Sequence, residues 1–209
     1  MKTIIYQCME EINKKIEENK EFLTELDGAI GDADHGINMT RGFNEVVKQL
    51  PQEEEDISVV LKKTGMVLLS KVGGASGPLY GTAFLKAAGA VQGATTLDGQ
   101  QIADMLEAAL NGIKYRGKAT VGEKTMVDAI EPAYIAFKES QEQGKSIGEG
   151  LDIICEEARK AVEYTKTIRA TKGRASYLGD RSIGHQDPGA TSFLIICEAV
   201  NSLYKSMMK

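Results

Sequence analysis

The chain has 209 residues, 42% of them apolar, and carries 25 Lys and Arg against 30 Asp and Glu, a formal charge of −5. That is enough for one ordinary domain with a full core, so we expect residues 1–209 to form a single domain. The acidity argues against non-specific nucleic-acid or anionic-membrane binding. No run approaches the roughly 18 apolar residues of a membrane span, and the N-terminus lacks a signal-peptide core. Three widely spaced cysteines, Cys8, Cys155 and Cys197, with no CxxC, suit a reducing cytosol, and a cytoplasmic protein is expected.

Apolar residues at helical spacing dominate from the start. Ile4, Ile5, Cys8, Met9, Ile12 and Ile16 make one stripe, in a helix expected to run to about Leu26. A second helix spans about Ile37 to Leu50 and stops at Pro51. After the acidic loop PQEEED, Ile57, Val60, Leu61, Thr64, Leu68 and Val72 line a third, and a fourth runs from about Pro78 to Val91. Asp98 caps a fifth, Val127 to about Gln141 is a sixth with Pro132 inside, Ser146 caps a seventh, and Pro188 opens an eighth. No segment alternates as a strand would. The expectation is an all-α fold of eight antiparallel amphipathic helices.

The 22 glycines cluster between these helices, in LDGAIGDADHG (26–36), KVGGASGPLYG (71–81), YRGKATVGEKT (115–125) and ATKGRASYLGDRSIGHQDPG (170–189). Helix connections need only about 2–8 residues and one capping glycine. Extra glycine lets backbone N–H groups approach a ligand closely. These four loops follow the first, third, fifth and seventh helices. In an antiparallel bundle they therefore meet at one end.

Asp27, Asp32 and Asp34 crowd into eight residues of the first loop. Carboxylates that close repel unless positive charge sits among them, and hard oxygen donors suit Mg²⁺, Ca²⁺ or Mn²⁺. An EF-hand is excluded, since counting from Asp32 places Ile37 at its glycine position and Phe43 at its glutamate position. Mg²⁺ held by few carboxylates completes its shell with water and phosphates. GGASG (73–77) and Asp187-Pro188-Gly189 each open a helix and so offer anion sites. Arg174, Arg181, Lys172 and Lys124 add positive charge in the loops, and His35 follows Asp34 directly. Gly112 to Lys118 begins like a P-loop, but Ala119 stands where Ser or Thr must bind the metal, so that reading is rejected.

Four stretches, GDADHGINM (31–39), GGASGPLYGTAF (73–84), GEKTMVDA (122–129) and GRASYLGDRSIGHQDPGATS (173–192), closely resemble the nucleotide-binding L subunit of phosphotransferase-system-dependent dihydroxyacetone kinases. The same domain resembles the C-terminal half of the ATP-dependent dihydroxyacetone kinases. The resemblance implies a barrel of eight helices with a nucleotide across one end. It implies two Mg²⁺ ions on Asp27, Asp32 and Asp34, bridging the phosphates of ADP. Phosphate contacts would fall on His35, Gly36, Ile37 and Asn38 and on Ser76 and Gly77. Adenine and ribose contacts would fall around Gly117 and Met126, and Arg174, Asp187, Pro188 and Gly189 would complete the site. Asp180, Arg181 and His185 receive no individual role. Ala33 stands where many relatives have Gly, adding a methyl to the metal loop.

By the same resemblance, a phosphocarrier M subunit phosphorylates the resident ADP. The γ-phosphoryl group then passes to dihydroxyacetone held on a K subunit. Other readings stay open: a nucleotide-binding regulatory module, since some relatives bind a transcription regulator; a kinase subunit that exchanges ADP for ATP; and a carrier of phosphohistidine on His35 or His185.

Overall fold

A computed structural model describes residues 2–208. Among these residues the chain forms nine α-helices and one 3₁₀ segment, with no strand. In order they are α1 Ile4–Glu18, α2 Lys20–Ile30, α3 His35–Gln49, α4 Ile57–Lys71, α5 Ser76–Ala90, α6 Gly99–Gly117, α7 Val127–Glu142, α8 Ile147–Thr165, the 3₁₀ segment Arg174–Ser182 and α9 Pro188–Met207.

The expected first helix is two helices. At Asn19 the backbone leaves helical geometry (φ −102°, ψ 11°). Its side-chain amide donates to Lys15 O at 2.8 Å, in competition with the backbone ladder. The chain restarts as α2, which puts Asp27 inside a helix and not in a loop. The first stripe also begins later than its pattern suggests: Met9, Ile12 and Ile16 are buried, while Ile4 is 57% exposed.

The other boundaries follow local chemistry. Asp98 with Gln101, and Ser146 with Glu149, form reciprocal capping boxes. Asp56 accepts from Ser58 N, and Asp187 accepts from Ala190 N ahead of Pro188 in the first turn of α9.

Chain neighbours from α3 to α9 pack in sequence, α1 and α2 both rest on α3, and α9 returns to pack on α1. One continuous core runs from Tyr6 to Ala199. Phe43 meets Phe84 edge-on at 6.3 Å within it. At one pole the connections are tied by Thr3 N donating to Gln52 O and Ile57 N donating to Ala94 O. The four glycine-rich connections gather at the other pole, where α3, α5, α7 and α9 begin. No helix among the described residues is long and apolar enough to cross a membrane.

Candidate functional site

The pole is built around Asp27, in the last turn of α2. Its Oδ2 accepts from the backbone N–H groups of Asp34 at 2.8 Å and His35 at 3.2 Å. One side chain thus closes the α2–α3 turn and caps the start of α3. Gly31 makes this possible, because a Cβ there would lie 2.1 Å from Asp27 Oδ1. Ala33 holds the turn with φ +59°, in the left-handed region.

The turn brings carboxylate oxygens of Asp27, Asp32 and Asp34 within 4.8 Å of one another. Asp27 is buried, Asp34 half-buried and Asp32 exposed. Arg174 reaches over from the 3₁₀ segment to Asp32 at 2.8 Å. Among the described residues that is the one ion pair the three acids make, and it is largely exposed. Three carboxylates against one screened guanidinium leave an excess of negative charge. An all-oxygen donor set this tight fits a hard divalent cation such as Mg²⁺. A recess of about 290 Å³ opens beside the trio, with Gly31, Arg174 and Tyr177 on its walls.

Next to the acids lies an anion-receptive surface. His35 Nδ1 is 2.9 Å from Ser76 Oγ, and His35 Nε2 is 2.9 Å from Ser192 Oγ. Those three residues lie in the first turns of α3, α5 and α9, so three helix N-termini converge with their positive dipole ends, although the α9 amides are taken up by Asp187. Burial pushes the His35 imidazole below its ordinary pKa, against the pull of Asp27 and Asp34. Gly77 must be small, since a Cβ would sit 2.2 Å from Val72 O. Asn38 is buried, accepts from Arg41 at 2.7 Å and lies against Gly73. Ile37 projects outward and is 47% exposed.

The remaining expected residues join the same pole. Gly117 ends α6 beside Leu79 of α5. Met126 is buried at the start of α7 and faces Gly189. Asp187, Pro188 and Gly189 form the cap and first turn of α9. Asp180 pairs instead with Arg169 at 3.2 Å, while Arg181 and His185 are exposed.

Lys124, expected as one more loop charge, has a different place. It is 1% exposed, and its Nζ donates to Thr165 O at 2.6 Å and Ile168 O at 3.2 Å. It therefore satisfies the carbonyls at the end of α8. Asp128, also buried, accepts from Gly122 N at 2.6 Å and Thr125 N at 2.8 Å and shapes the 118–126 connection. Asp187 completes this charged cluster. Burial, helped by Asp128, pushes its carboxyl up to about 7 against the opposing pull of Ala190 N–H and Lys124. Burial lowers the Lys124 ammonium in turn, against Asp187 and Asp128. Asp128 and Thr165, like Tyr80 and Ser192 behind His35, carried no local signal: each sits at a position an amphipathic pattern reads as core.

Residues 29–202 match the DAK2 domain family. The chain belongs to that family. It is 50% identical over 179 residues to the PEP-dependent dihydroxyacetone kinase, ADP-binding subunit DhaL, of Escherichia coli, covering 85% of each chain. It is 46% identical to the corresponding subunit of dihydroxyacetone kinase 1 of Listeria innocua, covering 92% of this chain and 91% of that one. Its fold matches the dihydroxyacetone kinase of C. freundii, with TM-score 0.74 for the native form and 0.70 for the complex with AMP-PNP and Mg²⁺, at 23% identity in both. The match covers 95% of this chain but only about a third of that kinase. The all-helical expectation stands, with the first helix divided and a 3₁₀ segment added.

Proposed function

We propose that this chain is the ADP-binding subunit of a phosphoenolpyruvate-dependent dihydroxyacetone kinase, working as one domain in the cytosol. The observation that carries the reading is the pairing at one pole of a three-carboxylate cluster with three converging helix N-termini. The first suits a divalent cation and the second suits phosphates. The match to the E. coli subunit along 85% of both chains supports the substrate assignment.

In this reading Asp27, Asp32 and Asp34 hold Mg²⁺, two ions in all, and the α3, α5 and α9 N-termini hold the diphosphate. The residues concerned are His35, Gly36, Ile37, Asn38, Ser76, Gly77, Asp187, Pro188 and Gly189. Gly117 and Met126 face the nucleoside, and Arg174 lies over the phosphates. Bound ADP accepts a phosphoryl group from the phosphocarrier M subunit and, as ATP, supplies it to dihydroxyacetone on the K subunit.

The protein's own part is positioning and neutralisation, which is most of what phosphoryl transfer requires. Asp27 is fixed by two backbone N–H bonds, so its geometry does not depend on a ligand. The exposed Arg174 can leave Asp32 when a more strongly charged group arrives.

The test is the nucleotide and metal content of the purified chain, followed by reconstitution with K subunit and phosphocarrier. Co-purified ADP with magnesium, and phosphoenolpyruvate-dependent formation of dihydroxyacetone phosphate, are expected. Nucleotide retention without sugar phosphorylation would instead mark a regulatory module.

A further inference from the structure

Lys124 holds an unusual backbone for its type. Its φ is +59°, in the left-handed region where glycine is at ease and a Cβ is not. It is also 1% exposed, so its amine has given up its water. Strain of this kind persists only where the surroundings hold it, and it gathers at working sites. What holds it is Nζ, which donates to Thr165 O at 2.6 Å and Ile168 O at 3.2 Å.

Those bonds join two loops of the same pole. Lys124 belongs to the 118–126 connection, between Gly117 and Val127. Within that connection Asp128 collects the amides of Gly122 and Thr125, and Glu123 Oε2 accepts from Thr120 N at 2.7 Å. On its outer side the connection borders a groove of about 490 Å³ shared with Lys114, Glu131 and Ile135. Its ties to the last loop run inward, through Lys124 and through Glu123 O, which accepts from Thr171 N at 3.2 Å. Thr165 is the node. It is fully buried; its carbonyl takes the Lys124 bond while its Oγ1 accepts from Asp187 N at 3.0 Å. A single residue of α8 thus fixes Lys124 on one side and the α9 cap on the other. Met126, two residues after Lys124, faces Gly189, two residues after Asp187.

We propose that Lys124 is a positioning residue for the nucleoside half of the site: its bonds to the end of α8 hold the 118–126 connection, and Met126 with it, in place against the α9 cap. The proposal rests on the nucleotide reading above, and it separates two halves of the ligand. The diphosphate meets the starts of α3 and α5, where neither Lys124 bond reaches. The nucleoside meets Gly117 and Met126, which flank and end the clamped connection.

The experiment compares the Kd of the full chain for ADP and for inorganic pyrophosphate, both with Mg²⁺, in wild type and in Lys124→Met, which keeps the unbranched shape of the side chain without its donors. If the freed connection keeps its binding form about a tenth of the time, the Kd for ADP rises about tenfold while the Kd for pyrophosphate stays as in wild type. An unchanged Kd for ADP overturns the clamp, and so does an equal rise for both ligands, which would mark a purely structural lysine. Hydrogen exchange on the ligand-free wild type gives a second reading, which decides even if Lys124→Met fails to fold. The amides of Thr125, Thr171 and Asp187 should already be protected, because the clamp forms before any ligand arrives. Free exchange at these amides until ADP is added overturns it. All these outcomes leave the proposed function standing. A wild type that binds no ADP in the presence of Mg²⁺ overturns the proposed function and the clamp together.

Discussion

Asp27 serves the turn and the proposed metal with one carboxylate. Because its Oδ2 bonds two backbone amides, Asp27→Ala should lose a cap, at about 1 kcal/mol, as well as a ligand. Among the described residues no backbone N–H bonds the Asp34 carboxylate in this way, so Asp34→Ala is the cleaner probe. We expect it to abolish the Mg²⁺-dependent rise in melting temperature on adding ADP while leaving the ligand-free midpoint nearly unchanged; an undiminished rise would contradict the metal assignment. Ala33 offers a converse test. Its φ of +59° is strained for alanine, by roughly 1–2 kcal/mol. Ala33→Gly should stabilise the chain by about 0.5–1 kcal/mol in denaturant titrations, once the greater freedom of unfolded glycine is deducted.

Asp187 makes a pH prediction. Its carboxyl titrates near 7 in the fold against an ordinary value of 3.8. The folded chain therefore binds the extra proton between those values. The stability this group contributes is complete below about pH 4 and lost as pH rises through about 7. Asparagine caps a helix as well as aspartate but cannot ionise. Measured as the difference from wild type, Asp187→Asn should gain stability as pH rises from 4 to 8. A pH-independent difference would show that burial does not govern this carboxyl.

Among the helices, seven of the eight expected were legible because each carries both a period and a punctuation mark. Asp98, Ser146 and Pro188 declared their starts, and the α4 stripe of Ile57, Val60, Leu61, Thr64 and Leu68 is buried where the 3.6-residue repeat put it, whereas α9 turns Ile195 and Ala199 inward and leaves the expected Ile196 and Val200 half-buried. The break at Asn19 was hidden, because asparagine is tolerated within helices and Met9, Ile12, Ile16 and Leu23 keep an apolar face across it. The caps at the far pole supply a control. Ser146→Ala should cost about 1 kcal/mol by removing both halves of a capping box. It should leave the nucleotide-dependent stabilisation untouched, since α8 starts at the pole opposite the aspartates.

For the molecule as a whole, loop parity was enough to gather the candidate residues at one end, since helices joined by short turns must alternate in direction. Pairings across the pole were beyond reach. Nothing in the sequence marks Lys124 as buried against the end of α8, or Ser192 as a partner of His35. These contacts depend on how the helices rotate about their axes, not on the pattern along any one of them. The bound state should be more stable by mass action, by about 4 kcal/mol at a thousandfold excess of ADP over its Kd, provided Mg²⁺ is present. Calorimetric scans with and without a chelator would read this directly, and a chelator-insensitive gain would argue against metal-bridged phosphates.

The contact between His35 and Ser192 spans 157 positions of sequence. A chain being synthesised has its acidic turn and its glycine-serine loop early, yet it lacks the third wall until the last helix leaves the ribosome. Such distant closure is slow relative to local helix formation. Newly made protein should therefore complete the proposed nucleotide site only once α9 has folded, and fragments that stop short of α9 should lack the ability to hold the nucleotide.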